Sequence, residues 1–196
     1  MAASKGIVVQ EILSSYSFAD HRCVLDVGAG KGRFTSELAV HAPHLKLKLF
    51  DLPPVLELAG ANFKAKGLSD RASLHPGNFL HDALPQGADL VTLVRVAHDH
   101  PDEVVKQLLQ KIHAALPPGG VLLLAEPMAQ TRSEFTPGAT QTDAYFHFYL
   151  LAMGAGRLRT PEELMRLMTQ AGFADVQRVN NSMPIHAQLL LGLKAK

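Results

Sequence analysis

A chain of 196 residues, 47% hydrophobic and 19% charged, holds enough apolar material for one globular domain with a sizeable core. Nineteen basic against eighteen acidic residues leave a formal charge of +1, so no basic footprint argues for nucleic acid or an anionic membrane. The single cysteine, Cys23, excludes an internal disulfide framework and suits a reducing cytoplasm, no apolar stretch approaches the ~20 residues that span a bilayer, and "MAASKGIVVQ" lacks the apolar segment of a signal peptide.

In chain order, short β-rich runs alternate with helical patterns, which is the signature of a parallel α/β sheet. Residues 1–20 read as a lead-in containing a helix, "IVVQEIL" (7–13). "CVLDVG" (23–28) is the first strand and "KGRFTSELAVHA" (31–42) the helix after it. "LKLKLFD" (45–51) is the second strand; the helix 53–67 has proline in its first turn and glycine at its end. A short third strand lies within 71–79, and "DLVTLVRVA" (89–97) is a near-continuous apolar fourth, as expected for a strand covered on both faces. A helix over 101–116 is stopped by "PPGG", and "VLLLAE" (121–126) is the fifth strand. Helices follow at 143–154 and 160–172, the second opened by a capping box between Thr160 and Glu163. The last two strands, "ADVQRVN" and "AQLLLGLKA", are joined too closely for a crossover and must pair antiparallel.

The loop "LDVGAGKG" (25–32) follows a strand and opens a helix. Gly28 and Gly30 can take backbone angles closed to other residues and let a ligand approach the main chain. A dinucleotide loop would carry a third glycine where this chain has Arg33, and Asp26 precedes the first glycine by two positions. That favours a ligand with a cationic amino-acid tail over a pyrophosphate; a tight turn with no ligand is the competing reading. Asp51, 23 residues after Gly28 at the end of the second strand, is placed either to accept both hydroxyls of a ribose or to cap the helix that starts at Pro53. Taken with the loop, it points to a nucleoside. In "GNF" (77–79), Asn78 is the candidate reader of an adenine edge and Phe79 the wall against its ring.

"LDVGAGKGRF", "LFDLP", "GNF", "RVAHDHPDE" and "LLLAEPM", in this order and spacing, resemble the S-adenosylmethionine-dependent small-molecule O-methyltransferases. The tail, residues 143–173, is most similar to the members that act on acyclic hydroxycarotenoids. The resemblance covers essentially the whole chain. It implies an α/β class I methyltransferase fold: a Rossmann-like seven-stranded sheet with the last strand antiparallel and helices on both faces. It also implies S-adenosylmethionine as cofactor, held by Asp26, Gly28, Gly30, Asp51, Asn78 and Phe79, with no metal.

His98 sits at the carboxyl end of the fourth strand, where doubly wound sheets bind ligands. It matches the family's catalytic base, Glu126 at the end of the neighbouring fifth strand matches the acid that orients it, and Asp99 supports them. Methylation of a hydroxyl requires loss of its proton, for which an imidazole is suited. Pro101, Asp102 and Glu103 read as a helix start, and His100, where plant members have tryptophan, is assigned no chemistry. Plant members also carry a second glutamate where this chain has Leu158, and many members have aspartate at the position of Asn78. Tyr145, Phe146, Phe148, Tyr149 and Met153 suit core or subunit packing and border the acceptor pocket in the family.

Three readings follow: an O-methyltransferase acting on a small hydroxylated acceptor, a dinucleotide-binding oxidoreductase disfavoured by Arg33, or a non-catalytic cofactor-binding module. Family members are about twice as long, and their N-terminal half is a helical dimerisation region. Residues 21–196 are therefore expected to form the methyltransferase domain of a longer protein, a homo-oligomer in its full-length form. The expected setting is cytoplasmic, peripheral to a membrane if the acceptor is a carotenoid.

Overall fold

The computed structural model describes residues 2–129, 154–182 and 187–196. The apolar runs become β1 (Cys23–Val27), β2 (Lys46–Asp51), β3 (Ala72–Pro76), β4 (Leu90–Val94), β5 (Val121–Glu126), β6 (Ala174–Val179) and β7 (Gln188–Leu193). Their order in one seven-stranded sheet is β3-β2-β1-β4-β5-β7-β6. The first five are parallel, and β7 runs antiparallel to both β5 and β6, as the short link between the last two strands demands.

Five described helices are α1 (Ala2–Ser15), α2 (Arg33–His41), α3 (Pro53–Ala65), α4 (Asp102–Ala115) and α5 (Pro161–Gln170). Because successive strand residues point to opposite faces, the sheet builds two cores. Leu25, Val27, Val91, Leu93, Leu122 and Leu124 pack with α4 and α5 on one face, whereas Val24, Leu47, Leu49, Leu90 and Leu123 pack with α1, α2 and α3 on the other. The capping box of α5 is present: Glu163 N donates to Thr160 Oγ1, and Thr160 N donates to the Glu163 carboxylate.

Most boundaries move by one or two residues, and three differences have a clear structural account. The helix expected from residue 31 begins at Arg33, because Gly32 takes a left-handed φ of 70° as its N-cap. The fourth strand, expected to reach 97, ends at Val94, where Arg95 turns the chain out of the sheet with φ 57° into a 3₁₀ turn, Ala97–Asp99. The helix expected at 7–13 extends over Ala2–Ser15, with Val8, Val9, Ile12 and Leu13 buried in the core on the α1, α2 and α3 face of the sheet. The expected helix 143–154, with Tyr145, Phe146, Phe148, Tyr149 and Met153, lies outside the described residues apart from the turn at Gly154. No described helix is long and apolar enough to cross a membrane.

Candidate active site

The glycine loop leaves β1 beneath the end of β2, where Gly28 N donates to the Phe50 carbonyl at 2.9 Å. Gly28, at φ 73°, passes so close to Val96 that an added Cβ would sit 2.6 Å from its Cγ2. Gly30, at φ 58°, has nothing within 4 Å of the same position and faces open space. One glycine therefore serves packing and the other an approach to the backbone.

Asp51 is turned toward that loop. Its Oδ2 accepts Gly30 N and its Oδ1 accepts Leu52 N, both at 2.7 Å, while the N-cap of α3 is Leu52 with no side-chain cap. The capping alternative for Asp51 is thereby set aside. Asp51 shares a cavity of about 360 Å³ with Gly28, Asn78, Phe79 and Asp99. Asn78 is anchored there, its Oδ1 accepting Leu80 N and its backbone N donating to Asp82 Oδ2. Lys111 of α4 adds two bonds, to the carbonyls of Phe79 and Asp82, and the Phe79 ring meets His100 edge-on at 5.2 Å.

A second cavity, of about 730 Å³, is bordered by Asp26, Gly28, Gly30, Lys31, Arg95 and His98. Asp26 is 2% exposed; its carboxylate accepts the hydroxyls of Thr35 (2.5 Å) and Thr92 (2.9 Å). Burial raises its pKa to about 6, against the pull of those two hydrogen bonds. A shift of that size opposes folding by roughly 3 kcal/mol at neutral pH. The sign follows from the raised value: the folded state holds the proton more tightly, so the cost is absent at low pH and grows as pH rises from about 4 to about 6.

His98 stands on the 3₁₀ turn, 4% exposed, with Nδ1 2.6 Å from Glu126 Oε2. Glu126 is 1% exposed and binds the same turn through its main chain, accepting Val96 N and Ala97 N at 2.7 Å and His98 N at 3.4 Å. Asp99 Oδ1 lies 3.4 Å from His98 Nε2. Burial alone would lower the imidazole pKa, but the charge and hydrogen bond of Glu126, with Asp99, lift it above its ordinary value. The pair therefore stabilises the fold fully below about pH 6.5, and that contribution is lost as pH rises through the raised value. Leu158 is buried and apolar, so that position supplies no carboxylate to the ring.

The structure thus brings together every candidate of the sequence reading. Asp26, Gly30 and His98 border the larger cavity and Asp51, Asn78 and Phe79 the smaller, while Gly28 and Asp99 border both. Glu126 lies behind His98. Arg95, absent from that reading, also borders both cavities and holds the left-handed turn at the end of β4. Its position three residues before His98, at the polar end of an apolar strand, was the available signal. Arg159, which is buried, and Gly156, both also missed, lie against the His98 turn. Chemically, one end of this site can hold a ribose and the other can accept a proton beside it.

The model of the O-methyltransferase domain family matches residues 1–174. Demethylspheroidene O-methyltransferase of Rhodobacter capsulatus is 43% identical over 184 residues, covering 94% of this chain and 44% of its own. The protein of the same name from Cereibacter sphaeroides is 39% identical over 177 residues, 90% of this chain and 46% of that one. The crystal structure of the S-adenosylmethionine-dependent methyltransferase SibL in its apo form shares the fold, with a TM-score of 0.90 at 23% identity over 100% of this chain and 57% of that one. The chain spans less than half the length of these two curated relatives. A family match over residues 1–174, together with identity of 43% across 94% of the chain, makes this protein a member of the O-methyltransferase domain family.

Proposed function

We propose that the chain is the cofactor-binding and catalytic part of an S-adenosylmethionine-dependent O-methyltransferase, and that its acceptor is an acyclic hydroxycarotenoid. The observation that carries this reading is the junction of the two cavities at Gly28, Arg95 and Asp99, which sets the Asp51 pocket directly beside His98. The residues fit the cofactor: Asp51 would hold the ribose hydroxyls, Asn78 and Phe79 the adenine, Gly30 the main-chain approach with Gly28 keeping the loop close to Val96, and Asp26 the ammonium of the amino-acid tail. A buried carboxylate that accepts two threonine hydroxyls keeps its charge and gains from a cationic partner.

Bound S-adenosylmethionine supplies an electrophilic methyl group. His98 takes the proton of the acceptor hydroxyl, and Glu126 stabilises the resulting imidazolium. Asp99, at the edge of both cavities, supports the charged ring. The 43% identity to a demethylspheroidene O-methyltransferase supports a carotenoid acceptor. In this reading residues 21–196 form the methyltransferase domain, with 1–20 leading in through α1. The full-length protein is a cytoplasmic homo-oligomer that meets its apolar acceptor at a membrane surface.

Titration calorimetry tests the cofactor assignment. S-adenosylmethionine is expected to bind and NAD not to bind. Because the pair needs both an ionised Asp26 and the ligand's ammonium, affinity should be greatest near pH 7, fall by up to about tenfold per pH unit below about pH 6, and fall again above about pH 8 as the free ligand's amino group loses its proton. Asp26→Asn should bind more weakly and lose that pH dependence. Binding of NAD instead, or a wild-type profile level through pH 5, would count against the assignment.

A further inference from the structure

The turn that carries His98 is gripped from two opposite sides. On one, the Glu126 carboxylate accepts the N–H groups of Val96, Ala97 and His98. On the other, the guanidinium of Arg159, itself 2% exposed, donates to the Ala97 carbonyl at 2.9 Å and the His100 carbonyl at 2.7 Å. Those two carbonyls bracket His98 and Asp99. The buried anion thus meets the N–H side of the turn and the buried cation its carbonyl side, each with the favourable sign.

Arg159 is in turn fixed on three sides. Its Nε and Nη2 reach Asp102 Oδ1 at 2.8 and 2.7 Å, at the start of α4. The Asp102 carboxyl is held down at about 2, first by its hydrogen bond from Arg157 and then, against partial burial, by Arg159. The Arg159 carbonyl accepts Ala129 N just beyond β5. Three residues earlier, Gly156 takes φ 87°, and a Cβ there would run into the His98 carbonyl and the Asp99 main chain. Segment 156–159 therefore lies directly on the turn. The planar fork reaches two carbonyls and a carboxylate in one fixed spread; a lysine ammonium would keep the charge and lose that arrangement.

We propose that Arg159 is a positioning residue for the base, fixing the 97–100 main chain so that the His98 ring stays at the edge of the larger cavity with Nδ1 on Glu126. This rests on the reading of His98 as the base. Two variants test it: Arg159→Lys, which preserves charge, and Asp102→Asn, which leaves Arg159 in place and alters a half-exposed partner. The first measurement is an NMR titration of the His98 ring, which needs no turnover. The charged and titratable groups around that ring, Glu126, Asp99, Arg95 and His100, are unchanged in both variants; Arg159→Lys also keeps the charge at 159, so its shift reports geometry, whereas Asp102→Asn removes a charge as well and is judged on kcat. The second is kcat with S-adenosylmethionine and demethylspheroidene.

In Arg159→Lys the His98 titration should move down toward the ordinary imidazole value, and kcat should fall about 10–100-fold, the scale of a displacement of about 1 Å, at unchanged cofactor affinity. Asp102→Asn should lower kcat by less. A lower melting temperature alone, with kcat at its wild-type value in both variants and the titration unmoved in Arg159→Lys, would make Arg159 merely structural and overturn the proposal. Full turnover by His98→Ala would instead overturn the base assignment, and it is read without reference to Arg159.

Discussion

In a chain able to turn over, replacing His98 by alanine is expected to lower kcat by roughly 10²–10⁴-fold, the usual contribution of a positioned general base. The imidazole is buried, held at 2.6 Å by Glu126, and borders the cavity that adjoins the Asp51 pocket, so the loss is expected to fall on proton removal. Affinity for S-adenosylmethionine should be unchanged, because the groups assigned to it lie on the glycine loop, Asp51 and the 77–79 loop. The pH profile carries the same information. A base acts only when neutral, and the His98 pKa is raised by Glu126 and Asp99 against the effect of burial, so the acid limb of kcat/KM should lie above the ordinary imidazole value. Glu126→Gln should bring that limb down and lower the rate. Steady-state kinetics showing full activity in His98→Ala would leave the imidazole a residue of the turn and nothing more.

The second large effect is expected at Asp51. Asp51→Ala removes a carboxylate that can accept charge-assisted bonds from the ribose, a loss of about 1.5–3 kcal/mol, or roughly 10–150-fold in affinity. It also leaves Gly30 N, now bound at 2.7 Å, without its acceptor, so the loop that approaches the ligand loosens at the same time. Asp51→Asn separates the two contributions: it retains an acceptor for Gly30 N but not the charge, and should fall between wild type and alanine. Calorimetry giving wild-type affinity in Asp51→Ala would remove this residue from the pocket.

Much of this architecture can be read from the chain because its signals are local. Continuous apolar runs such as 90–94 require cover on both faces, and the short link before β7 permits only an antiparallel pair. Thr160 and Glu163 announce the start of α5 three residues apart. What the chain does not show by itself depends on contacts distant in sequence. β4 ends early because Glu126, about thirty residues on, takes the N–H groups of Val96 and Ala97 out of the sheet pattern. The apolar stripe of α1 says that the helix is covered, not that its cover is this domain's own core. Asp51 at a strand end is ambiguous until Gly30 N is seen on its carboxylate. Arg159 is the clearest case: in "GRLRT" it is indistinguishable from a solvated surface arginine, and only its bonds to Ala97 and His100 reveal otherwise.

The central claim joins three things: a methyl donor in the Asp51 pocket, a hydroxyl acceptor beside it, and His98 between them. Incubation of the wild-type protein and His98→Ala, each in a chain able to turn over, with methyl-labelled S-adenosylmethionine and demethylspheroidene, and with a phenol as the competing acceptor, tests all three at once. The expected result is label recovered as a methyl ether on the carotenoid oxygen with the wild-type protein, little on the phenol, and a rate lower by roughly 10²–10⁴-fold with His98→Ala. Label on the phenol with the carotenoid untouched, or equal transfer by the two proteins, would contradict it.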